Sequence, residues 1–211
     1  MTRTIHDSNG SLNHPIVEQS FAVIDAEIGD HAFSPEQYAV VRRVIHSTAD
    51  FEFKERMVFS PGVVEQAIAA LQQRTPIIVD VNMVKQGIQG LVAKTFQNPI
   101  HVAVNRVDQA LPGKTRTETG ILQCLHDHPE SMVVIGNAPT ALLATCQAIQ
   151  AATADPCLIV GAPVGFVSVL ESKELLEHTP VPQIRVEGRK GGSAVAAAIV
   201  NALFVLTWQR R

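Results

Sequence analysis

Arg43 and His46 stand three positions apart in a segment with helical periodicity, so their side chains are expected on one face of a helix. A histidine has an ordinary pKa of about 6.5 and takes both protonation states near neutral pH, which suits it to donate a proton. An arginine on the same face would hold an anionic group of a substrate. Spacing alone favours a plainer interpretation, in which the histidine interacts with free carbonyls at a helix end and the arginine is solvated.

A second candidate anion site is predicted at Thr115-Arg116, where an arginine stands at the start of a helix. Its guanidinium and the N–H groups of the first helical turn would together bind one carboxylate. The same position is also typical of an arginine that is only solvated.

The sequence does not indicate metal or cofactor chemistry. His126-Asp127-His128 resembles a metal-binding run, but no further ligand is evident and Pro129 follows directly, which favours a surface turn. Neither a phosphate-binding loop nor a dinucleotide fingerprint is present, and no serine lies in a nucleophile-elbow context. We therefore expect neither a metal nor a cofactor.

Four short loops each follow an apolar β-branched run and precede a helix-like stretch, and these are residues 80–84, 136–140, 161–166 and 188–193. In a parallel sheet such loops emerge at one edge, where ligands of open α/β folds bind. Backbone N–H groups at helix starts attract anions there. The sequence therefore predicts one anion-binding pocket built from four distant segments.

The elements that would position these residues fall into two parts. Residues 1–60 lack strand signals and are predicted to form two helices, the second of which begins with the capping box Ser34-Pro35-Glu36-Gln37 and runs to about His46. From Pro61 onward helices and strands alternate, which indicates a parallel sheet covered by helices on both faces. The predicted strands are residues 76–80, 101–105, 132–135, 157–160 and 183–186.

The predicted fold class is α/β, a three-layer α/β/α arrangement with a mainly parallel sheet of about five strands and an N-terminal helical segment. We expect a single domain over residues 1–211, with helices carrying His46 in residues 1–60 and an alternating α/β core in residues 61–211. A chain of 211 residues is long enough to bury a sizeable core.

Composition indicates an ordinary globular protein of the cytoplasm. The formal charge of −3 gives no general attraction for nucleic acid or an anionic membrane. Cys124, Cys146 and Cys157 are sparse and lack ligand spacing, so we expect buried small side chains in a reducing compartment. Acidic residues within the first thirty positions break any signal-peptide pattern. The stretch from Gly191 to Trp208 has no charged residue, and Asn201 within it favours a buried helix over a membrane span.

Five groups of residues together resemble the precorrin-8X methylmutase family, also called cobalt-precorrin-8 methylmutase. The resemblance extends from Ser20-Phe21-Ala22-Val23-Ile24 to the C-terminal helix. The most specific groups are Phe59-Ser60-Pro61; Asp80-x-x-Met83-Val84; Gly136-Asn137-Ala138-Pro139-Thr140-Ala141-Leu142; Pro163-Val164-Gly165-Phe166-Val167 with Glu171-Ser172-Lys173; and Gly188-Arg189 with Gly191-Gly192-Ser193. Their order and spacing carry the resemblance, since no single group is decisive.

The resemblance implies an isomerase of corrin ring biosynthesis. Such enzymes move a methyl group from C-11 to C-12 of the (cobalt-)precorrin-8 macrocycle without a cofactor, giving hydrogenobyrinic acid or cobyrinic acid. It implies that His46 is the catalytic residue and that Ser20 and Arg43 bind the substrate. It also implies a homodimer that encloses the anionic tetrapyrrole in a deep pocket near the subunit interface.

The remaining substrate-binding positions are expected in the loops and at Arg116. They are Arg116, Asp80, Met83, Asn137, Ala138, Gly165, Lys173, Gly192 and Ser193. Within the family pattern, Glu118 and Asn82 depart from residues found in other members. Two alternatives stay open from the sequence: a corrinoid carrier that does no chemistry, and an α/β enzyme that binds a phosphorylated or nucleotide substrate at the same glycine-rich loops.

Overall fold

A computed structural model describes Leu12 and residues 14–211. The helices are α1 Pro15–Glu27, α2 Pro35–Thr48, α3 Phe53–Arg56, α4 Val63–Gln72, α5 Asn82–Lys94, α6 Arg116–Asp127, α7 Pro139–Gln150, α8 Val169–Glu177 and α9 Ser193–Gln209. The strands are β1 Met57–Phe59, β2 Ile77–Val79, β3 Ile100–Val102, β4 Met132–Ile135, β5 Leu158–Gly161 and β6 Gln183–Val186.

Within these described residues, six strands form one sheet in the order β1-β6-β5-β4-β2-β3. The five strands from β2 to β6 pair in parallel, which confirms the predicted α/β class with a mainly parallel sheet. The sixth strand, β1, pairs antiparallel with β6 at the edge. It lies within residues 1–60, which were predicted to lack strands, and that prediction was wrong. Three residues are too few for a period-2 pattern, and β1 forms because β6 offers it a free edge.

The sheet is covered on both faces, as the three-layer prediction requires. Buried side chains of β2, β4 and β5 alternate between the two faces, with Val134 on one and Val133 on the other. Helices α6, α7 and α8 pack on the Val133 face. Helices α4, α5 and α9 pack on the Val134 face, and α1 and α2 add an outer layer over α9.

The uncharged segment near the C-terminus is a buried helix, as predicted. Helix α9 contacts β4 and β5 on one side and α2, α4 and α5 on the other. A helix surrounded in this way needs apolar residues on all its faces, which explains the absence of charge. In the part of the chain that the structure describes, no helix combines the length and apolar character that crossing a membrane requires.

Helix α2 runs antiparallel to α9, and this direction places its C-terminal end near the carboxyl edge of the sheet. Its first turn is tied to the end of α9 by Glu36 and Arg210, whose side chains lie 2.7 Å apart. Just beyond its last turn, Asp50 pairs with Lys190 at 2.6 Å, and Lys190 lies in the loop that leads from β6 to α9. The predicted capping box at Ser34 is present and fixes where α2 begins. His46 therefore lies in the last turn of α2, at the sheet edge where the loops emerge.

Candidate active site

His46 forms its main polar contact with Ser20 of α1. The Ser20 Oγ and His46 Nδ1 atoms lie 2.7 Å apart, and both residues are partly buried. The rings of Phe21 and His46 pack in a T-shaped arrangement, with their centroids 5.5 Å apart. No hydrogen bond from the described residues reaches Nε2. The contact fixes the ring orientation and leaves Nε2 as the nitrogen that can act on another molecule.

The environment of His46 disfavours its charged form in the free protein. Burial lowers the pKa of His46 below its ordinary value of 6.5, and the positive charge of Arg43 lowers it further. The imidazole is therefore neutral at pH 7 until negative charge arrives nearby. A ligand that carries carboxylates would reverse this shift, because an opposite charge stabilises the imidazolium.

Arg43 lies one helical turn before His46 and faces a cleft of about 330 Å³ between α2, α5 and α9. Burial lowers the pKa of Arg43, while the negative charge of Glu18 acts in the opposite direction. The guanidinium carbon lies 5.6 Å from the centroid of the Phe21 ring. The structure thus places Ser20, Arg43 and His46 together on the paired helices α1 and α2.

Asp80 is fully buried and holds the loop that opens α7. Its carboxylate oxygens accept hydrogen bonds from the backbone N–H groups of Gly136, Asn137 and Ala138 at 3.1, 2.6 and 2.8 Å, and from Val81 at 3.0 Å. Burial raises the pKa of Asp80, whereas these donors stabilise the carboxylate and act in the opposite direction. The N–H groups of residues 136–138, just before α7, therefore bond to an internal anion. Binding of a substrate anion by this loop stays a prediction.

The loop between β6 and α9 is packed closely against the loop after β5. The Gly192 N–H donates to the Ala162 carbonyl at 2.8 Å. Gly191 has φ +151°, and a Cβ atom there would lie 2.4 Å from the Ala162 oxygen, so only glycine fits. Lys173 of α8 is buried beneath this loop, and its ammonium group donates to the carbonyls of Gly188 and Lys190.

Other predicted loop residues lie at the same edge of the sheet. Met83 is 73% exposed in the first turn of α5, and Asn137 is exposed before α7. Gly165 has φ +141°, and its N–H donates to the Arg189 carbonyl at 3.3 Å. Ser193 begins α9 and is partly exposed. These residues surround the carboxyl edge, and their contact with a substrate stays a prediction.

Arg116 stands at the start of α6 but uses its guanidinium within the protein. Its Nε and Nη2 atoms donate to the Val104 carbonyl at 3.1 and 2.8 Å. The predicted capping box between Thr115 and Glu118 is present, and Glu118 also pairs with Lys114. Glu118 therefore completes the helix cap. The guanidinium group of Arg116 donates two hydrogen bonds to a backbone carbonyl.

The His126-Asp127-His128 run lies at the surface but is the C-terminal end of α6, with His128 as its C-cap, so the predicted turn was wrong for His126 and Asp127. Asp127 pairs with Arg106, and His128 packs against His101 with ring centroids 4.1 Å apart. Across residue 12 and residues 14–211, no three His, Cys, Asp or Glu side chains are grouped to hold a metal ion.

The two parts of the candidate site are joined by contacts that the sequence did not reveal. Lys190 of the glycine loop pairs with Asp50 and, at 3.1 Å, with Glu52, just beyond the helix that carries His46. Lys190 and Asp50 are 140 positions apart, so no local pattern indicates their pairing. Phe21 packs on His46, although the sequence marked it only as part of the segment that resembles the family.

The chain is similar in sequence and in structure to members of one known protein family. The chain matches the family model described as CbiC, precorrin-8X methylmutase, over residues 15–206. It is 55% identical to the cobalt-precorrin-8 methylmutase of Synechocystis sp., with 94% of this chain and 98% of the relative covered. It is 40% identical to the precorrin-8X methylmutase of Pseudomonas aeruginosa, with 89% and 93% covered. The solved precorrin-8X methylmutase of Thermus thermophilus superposes with a TM-score of 0.87 at 41% identity, covering 92% of this chain and 96% of that one.

Proposed function

The chain belongs to the precorrin-8X methylmutase family of corrin ring isomerases, and on that premise we propose that His46 is the proton donor for the methyl shift. The shift moves a methyl group from C-11 to C-12 of (cobalt-)precorrin-8. The observation that supports this role is the contact between Ser20 Oγ and His46 Nδ1 at 2.7 Å. It orients one histidine rigidly at the edge of the sheet where the predicted binding loops meet.

Ser20 determines which nitrogen of His46 acts. In the imidazolium form both nitrogens carry a proton, so Nδ1 donates to Ser20 Oγ and the Nε2 proton is directed to the substrate. Proton transfer from Nε2 to a ring nitrogen of the macrocycle draws electrons from its conjugated system. The methyl group then migrates within the same molecule, and the proton returns to Nε2 when the product forms. Atoms and charge balance without a nucleophile, an oxidant or a second substrate.

The catalytic contribution of the proton is limited, and confinement must supply the rest. A positioned general acid contributes about 10²–10⁴-fold to a rate. A rearrangement within one molecule also needs its reacting carbons held in the reactive geometry, which an enclosed apolar pocket provides.

The negative charge of the substrate is proposed to favour the protonated form of His46, which is the acid. Free His46 has a lowered pKa because of burial and Arg43. The carboxylate arms of a corrinoid would neutralise Arg43 and stabilise the imidazolium. We infer that substrate binding itself raises the pKa of His46 and so charges the acid only in the complex.

The direct test of this function is to incubate the protein with metal-free and with cobalt-loaded precorrin-8 and to follow visible absorption. Relatives carry both names, so both forms are offered. We expect the absorption change that marks the new conjugation pattern for at least one of them. Unchanged spectra with both forms would refute the proposed function.

Arg43 is proposed to bind a carboxylate arm of the corrinoid. We expect Arg43→Met to weaken binding of cobyrinic acid about tenfold at low salt, which is typical of losing one charge-assisted contact. The difference from the wild-type protein should shrink as salt is added, because salt screens the remaining attraction. Titration at two salt concentrations measures both effects.

Arg74 provides the matched control for Arg43, because it is exposed and precedes β2 at the opposite edge of the sheet. Arg74→Met should bind as the wild-type protein does. Equal affinities of Arg43→Met and Arg74→Met at every salt concentration would exclude Arg43 as a carboxylate ligand.

A homodimer is proposed to cover the apolar surface after β5. Phe166 and Val167 are 89% and 82% exposed, and Val164 and Leu170 beside them are 43% and 44% exposed. Contiguous exposed apolar side chains indicate an interaction surface. We propose that a second copy of the chain packs there, which would enclose the substrate.

The free thiols of all three cysteines suit the reducing cytoplasm proposed as the compartment.

Sedimentation velocity tests this assembly. The wild-type protein should sediment as a dimer, and Phe166→Asp should shift it toward monomer because a buried charge opposes association. Leu111→Asp is the matched control, since Leu111 is 54% exposed and lies in the loop before α6, outside the segment after β5. A wild-type monomer, or a Phe166→Asp protein as dimeric as the Leu111→Asp control, would overturn the proposed interface.

A further inference from the structure

Lys173 is a buried cation that bonds only to carbonyl groups. Its side chain belongs to α8 and the residue is 4% exposed. The ammonium Nζ donates to the Gly188 and Lys190 carbonyls, both at 2.7 Å. No carboxylate of the described residues pairs with it. Such burial is costly for a lysine, so its contacts with the loop must offset that cost.

The loop that Lys173 holds has little means of fixing its own shape. Gly188, Gly191 and Gly192 all have positive φ, at +72°, +151° and +117°. Glycines in such conformations lose more backbone entropy on ordering than other residues. Contacts from outside the loop must therefore hold its backbone in one conformation. Lys173 provides two such contacts, at the carbonyls on either side of Arg189.

Ordering this loop also orders its neighbours at the sheet edge. The Gly192 N–H donates to the Ala162 carbonyl at 2.8 Å, and the Gly165 N–H donates to the Arg189 carbonyl at 3.3 Å. On its other side the loop pairs through Lys190 with Asp50, beyond the end of α2. The loop thus links the segment after β5 to the helix that carries His46.

We propose that Lys173 is a positioning residue, which holds residues 188–192 in the shape that receives the substrate and does not itself contact the substrate. This proposal rests on the proposed function for the identity of the substrate. It differs from the role of direct substrate ligand that was expected for Lys173 from the sequence. The difference follows from geometry, because Lys173 is 4% exposed and two of its N–H donors are already used.

The protonation state of Lys173 does not alter this role. Burial, with a smaller effect of Arg56, lowers the pKa of Lys173 to about 8. A neutral amine retains two N–H donors, one for each carbonyl. Both contacts therefore persist when the proton is lost, and what matters is the presence of the amine.

The test compares full-length Lys173→Met with Lys94→Met, in which an exposed lysine on α5 is replaced. Amide hydrogen exchange is measured residue by residue. We expect the Gly192 and Gly165 amides of Lys173→Met to exchange at least about tenfold faster than in the wild-type protein, as local opening permits. The Gly136 and Ala138 amides, which are held by Asp80, should keep their rates. Lys94→Met should match the wild type at all four positions.

Steady-state kinetics of the methyl shift separate positioning from general destabilisation. A displaced binding loop should raise KM about tenfold and leave kcat within about threefold, because the Ser20–His46 pair is intact. A protein that is only less well folded would lose kcat through its inactive fraction and keep its KM. Should Lys173→Met not fold, Lys173→Gln takes its place, since the shorter side chain cannot reach both carbonyls.

Three results would overturn the proposal. Unchanged exchange at Gly192 and Gly165 would show that Lys173 does not order the loop. Faster exchange there with an unchanged KM would show that the loop's shape does not matter for binding. Faster exchange at all four amides with a lower kcat would reduce Lys173 to a stabilising residue. A wild-type protein that does not convert precorrin-8 would refute the proposed function and leave the exchange result standing.

Discussion

Replacing His46 by alanine is expected to slow the methyl shift about 10²–10⁴-fold, the contribution of a positioned general acid. The variant should still fold, because His46 is partly exposed and lies in the last turn of α2. It should also still bind cobyrinic acid, since Arg43 and the loops remain. Single-turnover absorption measurements with saturating enzyme give the rate of the chemical step directly.

Two variants sharpen the His46 experiment. Ser20→Ala keeps the imidazole but removes its contact at Nδ1, so a smaller loss is expected than for His46→Ala. His126→Ala changes an exposed histidine in the last turn of another helix, α6, and should leave turnover unchanged. Turnover by His46→Ala at the wild-type rate would refute the proton-donor role. A corrinoid carrier would show binding and no turnover in any of these proteins, including the wild type.

Replacing Asp80 by alanine is expected to lower the free energy of unfolding by about 3–5 kcal/mol, because buried backbone donors lose a charged acceptor. Four N–H groups bond to this one carboxylate, and three of them belong to the loop that opens α7. Asp80→Asn should destabilise the protein nearly as much. Its amide NH₂ group would face the N–H donors of Asn137 and Ala138, so donor would meet donor.

Urea denaturation measures this change, with Asp108→Ala as the control. Asp108 is exposed and has no side-chain partner among the residues described, so its replacement should alter the unfolding free energy by less than about 0.5 kcal/mol. An Asp80→Ala protein as stable as the Asp108→Ala control would contradict the supporting role of Asp80.

Local signals predicted the elements well where a side chain caps its own helix or a strand is fully buried. Ser34 and Thr115 form the capping boxes that their spacing indicates. The strand predicted over residues 132–135 is β4 Met132–Ile135, because four consecutive apolar β-branched or long side chains suit a central parallel strand. Helix α5 extends past Gly90 to Lys94 and packs against α9.

Long-range contacts account for what the sequence did not predict. The four loops do meet at one edge of the sheet, as expected from parallel strands. The carboxylate of Asp80 nevertheless fills the donors of one loop, and the ammonium of Lys173 fills the acceptors of another. Asp80 and Lys173 are each separated by many residues from the loop that they contact. A single sequence therefore shows the charged side chain but not which loop it contacts. Asp80 and Lys173, which were expected to bind a ligand, thus hold loops at this edge, and their contact with a ligand stays a prediction.

The titration of His46, followed by nuclear magnetic resonance in the free protein and in its complex with cobyrinic acid, tests the central claim most directly. Free His46 should titrate below pH 6.5, since burial and Arg43 both oppose its charge. In the complex its pKa should rise, because corrinoid carboxylates near Arg43 favour the imidazolium, and Nε2 should keep its proton at neutral pH. A pKa that is the same with and without bound corrinoid would contradict the account, since the ring would then not face the ligand.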